Sequence, residues 1–393
     1  MAAGAVDLPS HTVYIDSMRT IPIIVVRPET AGRPLAPTKG RGTTSHLPHR
    51  FSARVSQAVD DGWPDNDGAR DAASTSTKTQ VFEENVRTIL AGNDSPDIGF
   101  DLSINPYRGC EHGCIYCYAR PTHSYLNLSP GLDFETKIIA KLNAAHRLRE
   151  AFMAPGYQPQ MLNIGSATDA YQPAERKLGI TRQVLEVMCE FSHAYSIITK
   201  SSGIERDIDL ISPMAGRQLA AVYVSITTLD PTLARIMEPR ASAPERRLDT
   251  IRRLAQAGIP VGVSVSPLIP FINEPELERI LEAARDAGAR SAFSIILRLP
   301  WEVNPLFQEW LAQHYPQRAQ RVMARVREMR GGRDNDSNFG ARMTGQGVWA
   351  SLVRQRFIKS CQRLGLNRTR QALDLSQFKR PLQQANPDQF SLF

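Results

Sequence analysis

Aromatic residues are scarce, at 7% of 393 positions, and there are only five cysteines. Five thiols in a chain this long cannot build a disulfide framework. Long hydrophobic runs are also missing. The longest near the N-terminus, Ile21 to Val26, falls far short of the ~20 apolar residues a membrane helix needs, and no secretory hydrophobic region is visible. These absences argue against a disulfide scaffold, a membrane-spanning chain and a secreted one, and favour a reducing, cytoplasmic setting. What is present is a 42% hydrophobic composition, too apolar for a wholly disordered polymer. One large α/β domain with appendages, or two domains at most, is expected.

Acidic residues are short in one place. From Leu311 to Phe393 there are 15 Lys and Arg against 5 Asp and Glu, a net of +10, whereas the whole chain is +7, so the remainder is about −3. The basic C-terminal stretch points to a polyanionic partner, a nucleic acid first of all. The plainer alternative is a solvated helical face that carries Arg for solubility.

Residues 1–98 read as a loosely ordered extension rich in Pro, Gly and charge, with a short helix expected over Val81 to Leu90. From Gly99 the pattern is regular. Six short β-branched runs, at Leu102–Ile104, Met161–Ile164, Tyr195–Thr199, Ala221–Ile226, Val261–Val265 and Phe293–Leu297, alternate with amphipathic stretches. Ser242 to Glu245 reads as a capping box and Asn273 to Glu276 as nearly one, while Gly258 and Gly288 read as helix stops. The α/β pattern predicts a partial (βα)6 TIM-type barrel over 99–300, with chemistry at the C-terminal ends of its strands. A basic α-helical region follows over 301–380, with helices at Pro305 to Leu311, Gln317 to Met329 and Val348 to Leu364 and a glycine-rich basic loop from Arg330 to Gly347. A flexible tail is expected over 381–393.

The first βα loop carries Cys110, Cys114 and Cys117 in a C-x3-C-x2-C spacing, with Gly109 and Gly113 beside them. Three thiolates on one tight loop suit three irons of a cubane cluster and leave the fourth iron open. Soft thiolates favour Fe-S or zinc over hard cations. A structural zinc site wants a fourth protein ligand, and His112 is the one near enough in sequence. Tyr107, Arg108 and His112 are expected to support the cluster as hydrogen-bond donors.

This loop, with an aromatic residue, Tyr116, directly before the third cysteine, resembles that of the radical S-adenosylmethionine (SAM) superfamily. The closer likeness is to the spore photoproduct lyase family and the uncharacterised bacterial proteins related to it. It is carried by Asn105 to Pro121, Gly165 to Pro173, Ile198 to Ser201, Ser225 to Asp230 and Glu238 to Ala241 with Arg246 to Leu248. The resemblance implies a [4Fe-4S] cluster on the three cysteines and SAM chelated at the open iron. It further implies one-electron cleavage to a 5′-deoxyadenosyl radical, and an electron donor such as flavodoxin or ferredoxin. By the same likeness Thr168 and Asp169 reach the amino group of SAM, Lys200 its carboxylate, and Ser225 and Thr227 its ribose. Glu238 and Arg240 either contact the cofactor or pair with each other as scaffolding. One departure stands out: the lyase family returns a hydrogen atom through a cysteine after the second strand, and Met161 to Gln172 contains none. Tyr171 and Tyr118 are the alternative donors. Cys189, in an apolar helix, reads as a core thiol.

The chain ends Gln389-Phe390-Ser391-Leu392-Phe393. It resembles the Gln-x-x-Leu-Phe peptides that dock on the DNA sliding clamp, with Gln389, Leu392 and Phe393 as the expected contacts. The alternative is a tail folded back on its own domain. Three functional readings follow: a radical SAM enzyme acting on nucleic acid in a lyase-related, repair-like reaction; one that modifies a protein or small molecule; and a non-enzymatic Fe-S or zinc protein that binds nucleic acid.

Overall fold

The structure is a computed structural model that describes residues 39–52, 78–368 and 372–381. Gln389, Leu392 and Phe393 lie outside the described residues, as does the rest of the tail beyond 381. Ten strands are present among the described residues: β1 (Gln80–Glu84), β2 (Leu90–Gly92), β3 (Leu102–Ile104), β4 (Tyr107–Arg108), β5 (Lys137–Lys141), β6 (Leu162–Ile164), β7 (Tyr195–Thr199), β8 (Ala220–Ser225), β9 (Val261–Leu268) and β10 (Ser291–Ile296).

All six predicted barrel strands are there, in chain order, in one sheet β10-β9-β8-β7-β6-β3-β2. From β3 through β10 every ladder is parallel, and β2 adds antiparallel to β3. The parallel order follows from the connections. Helices Ala144–Met153, Ile180–Glu190, Ile208–Gly216, Pro244–Gln256 and Leu277–Asp286 each return the chain between successive parallel strands. Among the described residues no ladder joins β10 to β2 or β3, so the six-strand α/β barrel is partial, as expected.

Alternation along the strands divides the sheet. Ile104, Ile164, Ile197, Val222, Val224, Val261 and Val263 share one core with Val184, Leu185, Ile251, Leu254, Ile280 and Leu281 of the covering helices. The opposite face mixes small polar residues with aromatics: Asn163 pairs in register with Ser196, Tyr223 with Gly262, and Ser225 and Phe293 with Ser264. A Cβ on Gly262 would lie 2.4 Å from the Tyr223 ring, so this glycine makes room for the aromatic within the barrel.

Three expectations are corrected. Val81 to Leu90 is no helix but β1 and β2. A ten-residue helix has little stability of its own, and β1 instead gains backbone pairing along β5, which β4 flanks on the other side. Ser242 does not cap the helix after it; its hydroxyl accepts from Ser202 N at 2.9 Å. Asn273 likewise caps nothing and ties Ile269 N, Thr227 O and Pro267 O together at 2.7–2.9 Å. Gly258 and Gly288 do stop their helices, with φ of +77° and +113°.

The C-terminal helices run Val303–His314, Pro316–Glu328 and Gly347–Leu364, with a short helix, Ala341–Thr344, inside the basic loop. Much of the positive charge is consumed internally. Arg325, Arg327, Arg342, Arg356 and Arg363 each pair with an acid, and Arg356 and Arg363 fasten the last helix to Glu274, Glu278 and Glu282 on the barrel. Beyond it, Phe378 packs on Phe152, Tyr157 and His193, and Arg380 donates to Phe152 O at 3.1 Å and Ala154 O at 2.9 Å.

His193 in this knot is fully buried. Its Nδ1 donates to Ala194 O at 2.8 Å, which leaves Nε2 to accept from the Tyr157 hydroxyl at 2.7 Å. Burial lowers its pKa to about 4. The unfolded chain takes up this proton below about pH 6.5. The folded chain does so only near 4, so stability is intact above 6.5 and is lost as pH falls between the two. Each unit of difference is worth about 1.4 kcal/mol. Urea unfolding at pH 7 and pH 4.5 should show a smaller pH-dependent loss for His193→Phe than for the wild type; equal losses would count against the assignment.

Candidate active site

The cysteine loop leaves β3 at the C-terminal end of the barrel strands. Its bends fall at Gly109 (φ +80°) and Gly113 (φ +66°). Both positions also lack space: a Cβ on Gly109 would meet Phe134 O at 2.9 Å, and one on Gly113 would meet Glu135 Oε2 at 2.6 Å. The backbone is pinned by Cys110 N to Phe134 O (2.9 Å) and Cys117 N to Cys114 O (3.2 Å). Gly42 packs directly against it, since a Cβ there would lie 1.7 Å from Gly113 O.

One buried ion pair organises this loop. Arg120 and Glu135 are both completely buried and 2.5 Å apart. Arg120 spreads its remaining donors over the carbonyls of Cys114 (2.9 Å), Gly113 (3.1 Å), Pro130 (3.2 Å) and Gly131 (3.1 Å). Glu135 Oε2 accepts from Gly42 N at 2.8 Å. On the far side Gln172, also fully buried, accepts from Glu111 N at 2.9 Å and donates to Gly109 O and Thr168 Oγ1.

Cys110 lies against Ala119 and Phe134, Cys114 against a second apolar group with Ile115 and Met237, and Cys117 touches both. Cys110 and Cys114 are buried, and Cys117 is partly exposed. Burial, then the nearby Asp169 and the other two thiols, pushes the Cys110 thiol well above its ordinary range; burial pushes Cys114 up to about 12. Such thiols stay protonated until an iron displaces the proton. Among the described residues, no three His, Cys, Asp or Glu side chains converge as the ligands of a single ion do. A cubane asks for no such convergence, because each thiolate bonds a different iron. Three soft donors on a glycine-bent, apolar-walled loop therefore fit a [4Fe-4S] cluster.

The neighbouring strand ends bring most of the other expected residues to the same place. Tyr116 donates to Glu238, which also accepts from Thr227 at 2.8 Å and from the buried Arg247. The Lys200 ammonium, at the end of β7, stands 5.8 Å from the centre of the Tyr116 ring. Burial works to lower its pKa, but the Cys114 and Glu238 side chains outweigh it and hold it up. It makes no hydrogen bond or ion pair among the described residues, nor does the Ser225 hydroxyl.

Other expected residues are spent on the scaffold. Asp169 accepts from Thr199 Oγ1 (2.7 Å), Lys200 N (2.7 Å) and Tyr171 N (2.9 Å), with His112 Nδ1 at 3.3 Å. Burial alone would raise its pKa; His112 and these donors bring it below the usual carboxylate range. Thr168 donates to Gly109 O at 2.6 Å. Glu238 and Arg240 do not pair with each other: Arg240 turns to Glu111 and Thr79, each at 3.0 Å. Tyr107 and Arg108 turn to Glu175 and Glu84, and His112 to Asp169. The Tyr171 hydroxyl is buried and donates to Asp207 at 3.1 Å, while that of Tyr118 donates to Ser166 O from a side chain half exposed beside Cys117. Cys189 and Cys361 belong to the main core, apart from the loop.

Sequence reasoning gave no role to Arg120, Glu135, Gln172 and Arg247. Arg120, Gln172 and Arg247 fall within the stretches that carry the resemblance; Glu135 has no sequence signal, since its partner is 15 residues away in a different element.

A family model described as the radical SAM superfamily matches residues 104–284. An uncharacterised protein of Mycobacterium tuberculosis is 33% identical over 232 residues, spanning 58% of this chain and 67% of that protein. An uncharacterised protein of Methanocaldococcus jannaschii is 26% identical over 219 residues, 56% of this chain and 78% of the other. Among solved structures, a spore photoproduct lyase complexed with dinucleoside spore photoproduct superposes with a TM-score of 0.52 at 15% identity, covering 74% of this chain and 82% of that one. A lyase variant with bound AdoMet and the same dinucleoside gives the same values, and at this identity the likeness is one of fold. With the motif, the barrel and the family match in agreement, this chain belongs to the radical SAM superfamily, whose enzymes use a [4Fe-4S] cluster and SAM.

Proposed function

We propose that this enzyme acts on a nucleic acid, with Cys110, Cys114 and Cys117 holding the cluster and Lys200 and Ser225 facing SAM. When bound, the two cofactors supply one-electron radical chemistry. The observation that carries the assignment of SAM contacts is the Lys200 ammonium, which makes no ion pair among the described residues and stands at a strand end beside Tyr116 and Cys114. A carboxylate brought there would complete it. Tyr116, Thr227, Glu238 and Arg247 form a closed network that fixes the wall from which Lys200 and Ser225 project. Asp169 and Thr168 act by holding the strand ends and the cysteine loop in register, and Arg240 by holding Glu111. Tyr118, exposed next to Cys117, is better placed than the buried Tyr171 to exchange a hydrogen atom with a substrate.

Support for a nucleic-acid substrate comes from the exposed basic residues that remain after internal pairing. Arg333, Arg354 and Lys359 are exposed and make no ion pair among the described residues. The fold likeness to a lyase complexed with a dinucleoside photoproduct points the same way. The stretch Met161 to Gln172 contains no cysteine, so a lyase-type hydrogen return there needs another donor. The pairing of five C-terminal arginines with acids favours, as a second reading, a protein or small-molecule substrate for the same chemistry.

Lys200→Ala tests the division of roles. Removing a charge-assisted hydrogen bond costs about 1.5–3 kcal/mol, so SAM should bind roughly tenfold to a hundredfold more weakly while iron content stays at the wild-type level. Loss of iron in a folded Lys200→Ala protein would refute it. Substrate class is read from deuterium transfer into 5′-deoxyadenosine from labelled oligonucleotides or peptides.

A further inference from the structure

The chemistry end of β10 holds an excess of positive charge that the cofactor site does not use. Arg298 follows the strand, and among the described residues its buried Nε has no hydrogen-bond partner and its one polar contact is a weak one, from Nη1 to Met343 Sδ at 3.6 Å. Behind it stands Arg330, only 2% exposed, which donates to Leu297 O at 2.8 Å and Ala341 O at 2.9 Å. The Arg330 Nε is likewise buried and unpartnered.

Two acids are close, and both are engaged elsewhere. Asp97 accepts from Arg342 Nε at 2.5 Å and Gly340 N at 2.6 Å, and Asp336 accepts from Asn338 N at 3.0 Å. Arg298 and Arg330 therefore make no ion pair among the described residues. Burial, then mutual repulsion with neighbouring guanidinium groups, lowers the pKa of each, that of Arg330 to about 10. Both remain charged at neutral pH. Two cations, one buried and one partly buried, held together without an anion are unfavourable unless a ligand supplies one.

The position gives the ligand its role. Arg298 lies within electrostatic reach of Tyr118, the exposed residue after Cys117, so an anion bound there sits on the rim of the barrel mouth beside the cysteine loop. A planar guanidinium with a free edge matches the paired oxygens of a phosphate.

We propose that Arg298, backed by Arg330, binds a phosphate group of the substrate at the barrel rim, and that a nucleic-acid strand is its source. The identification of the source rests on the nucleic-acid reading above; the site itself does not.

The test uses the full-length holoenzyme and two probes. A short fluorescent single-stranded oligonucleotide, titrated across a salt series, should bind the wild type. Arg298→Gln should weaken that binding roughly tenfold and lower the log–log salt slope by about 0.7, the value for one phosphate of a single strand that is no longer neutralised. Arg298→Lys should keep the slope and part of the affinity, since the charge survives and the fork does not. Arg363→Gln, which removes an equal charge from the Glu282 pair, should change neither, and iron content should be unaltered in all three. In the second arm, inorganic pyrophosphate should raise the melting temperature of the wild type and not of Arg298→Gln. If the oligonucleotide fails to bind while pyrophosphate acts through Arg298, the phosphate site stands and its source is a small phosphorylated molecule. If wild type and Arg298→Gln bind the oligonucleotide alike, the site is overturned and the nucleic-acid reading survives. If neither probe binds the wild type, both are overturned.

Discussion

Alanine at any one of Cys110, Cys114 or Cys117 is expected to abolish reductive cleavage of SAM, whereas Cys189→Ala and Cys361→Ala leave it unchanged. The three loop thiols are the soft donors gathered on one glycine-bent turn, and each is proposed to serve a different iron. Even mutations of the outer partners of a metal site commonly cost 10–100-fold in affinity, so loss of a ligand should exceed roughly 100-fold. Cys189 and Cys361 lie in the main core, where a thiol behaves as a small hydrophobe. Anaerobic iron and sulfide analysis, run beside chromatography of 5′-deoxyadenosine, checks both halves. A Cys114→Ala protein with full iron and wild-type cleavage would end the assignment.

Glu135→Gln should destabilise the fold more than any other single change in the loop's support. It would leave the Arg120 guanidinium wholly buried without its countercharge, and breaking such a pair from one side costs about 3–5 kcal/mol. Part of the damage falls on the site, because Arg120 holds the carbonyls of Gly113 and Cys114 and Glu135 holds Gly42 N. Urea unfolding should report the loss in stability, and iron reconstitution should fall with it. Arg120→Met together with Glu135→Met, which removes both charges and keeps the volume, should recover much of the stability but not the iron, since the hydrogen bonds to the loop carbonyls are gone. If the double change is as unstable as the single one, the buried charge is not what the single change exposes.

The β-branched runs at Leu102, Met161, Tyr195, Ala221, Val261 and Phe293 were enough to specify six parallel strands, because a strand buried under helices on one face must be apolar there whatever its neighbours are. The cysteine spacing likewise specified the loop: three thiols within eight residues are brought together by local chain geometry alone, and the positive φ of Gly109 and Gly113 is a local property. Other features depend on partners distant in the chain. Whether Val81 to Leu90 forms helix or strand was decided by β5, more than fifty residues on, whose open edge offered β1 backbone hydrogen bonds that a short helix could not match. Of the two roles expected for Glu238 and Arg240, cofactor contact or mutual pairing, the pairing gave way to Arg247 and Glu111, since residues two apart in an irregular loop point apart while a helix can bring a residue nine positions later against the same carboxylate. The pair Arg120–Glu135 and the unmatched Arg298 are of the same kind. Sequence counts charges, but whether a charge is neutralised, buried or left free for a ligand is a matter of which side chains the fold sets within a few ångströms of it.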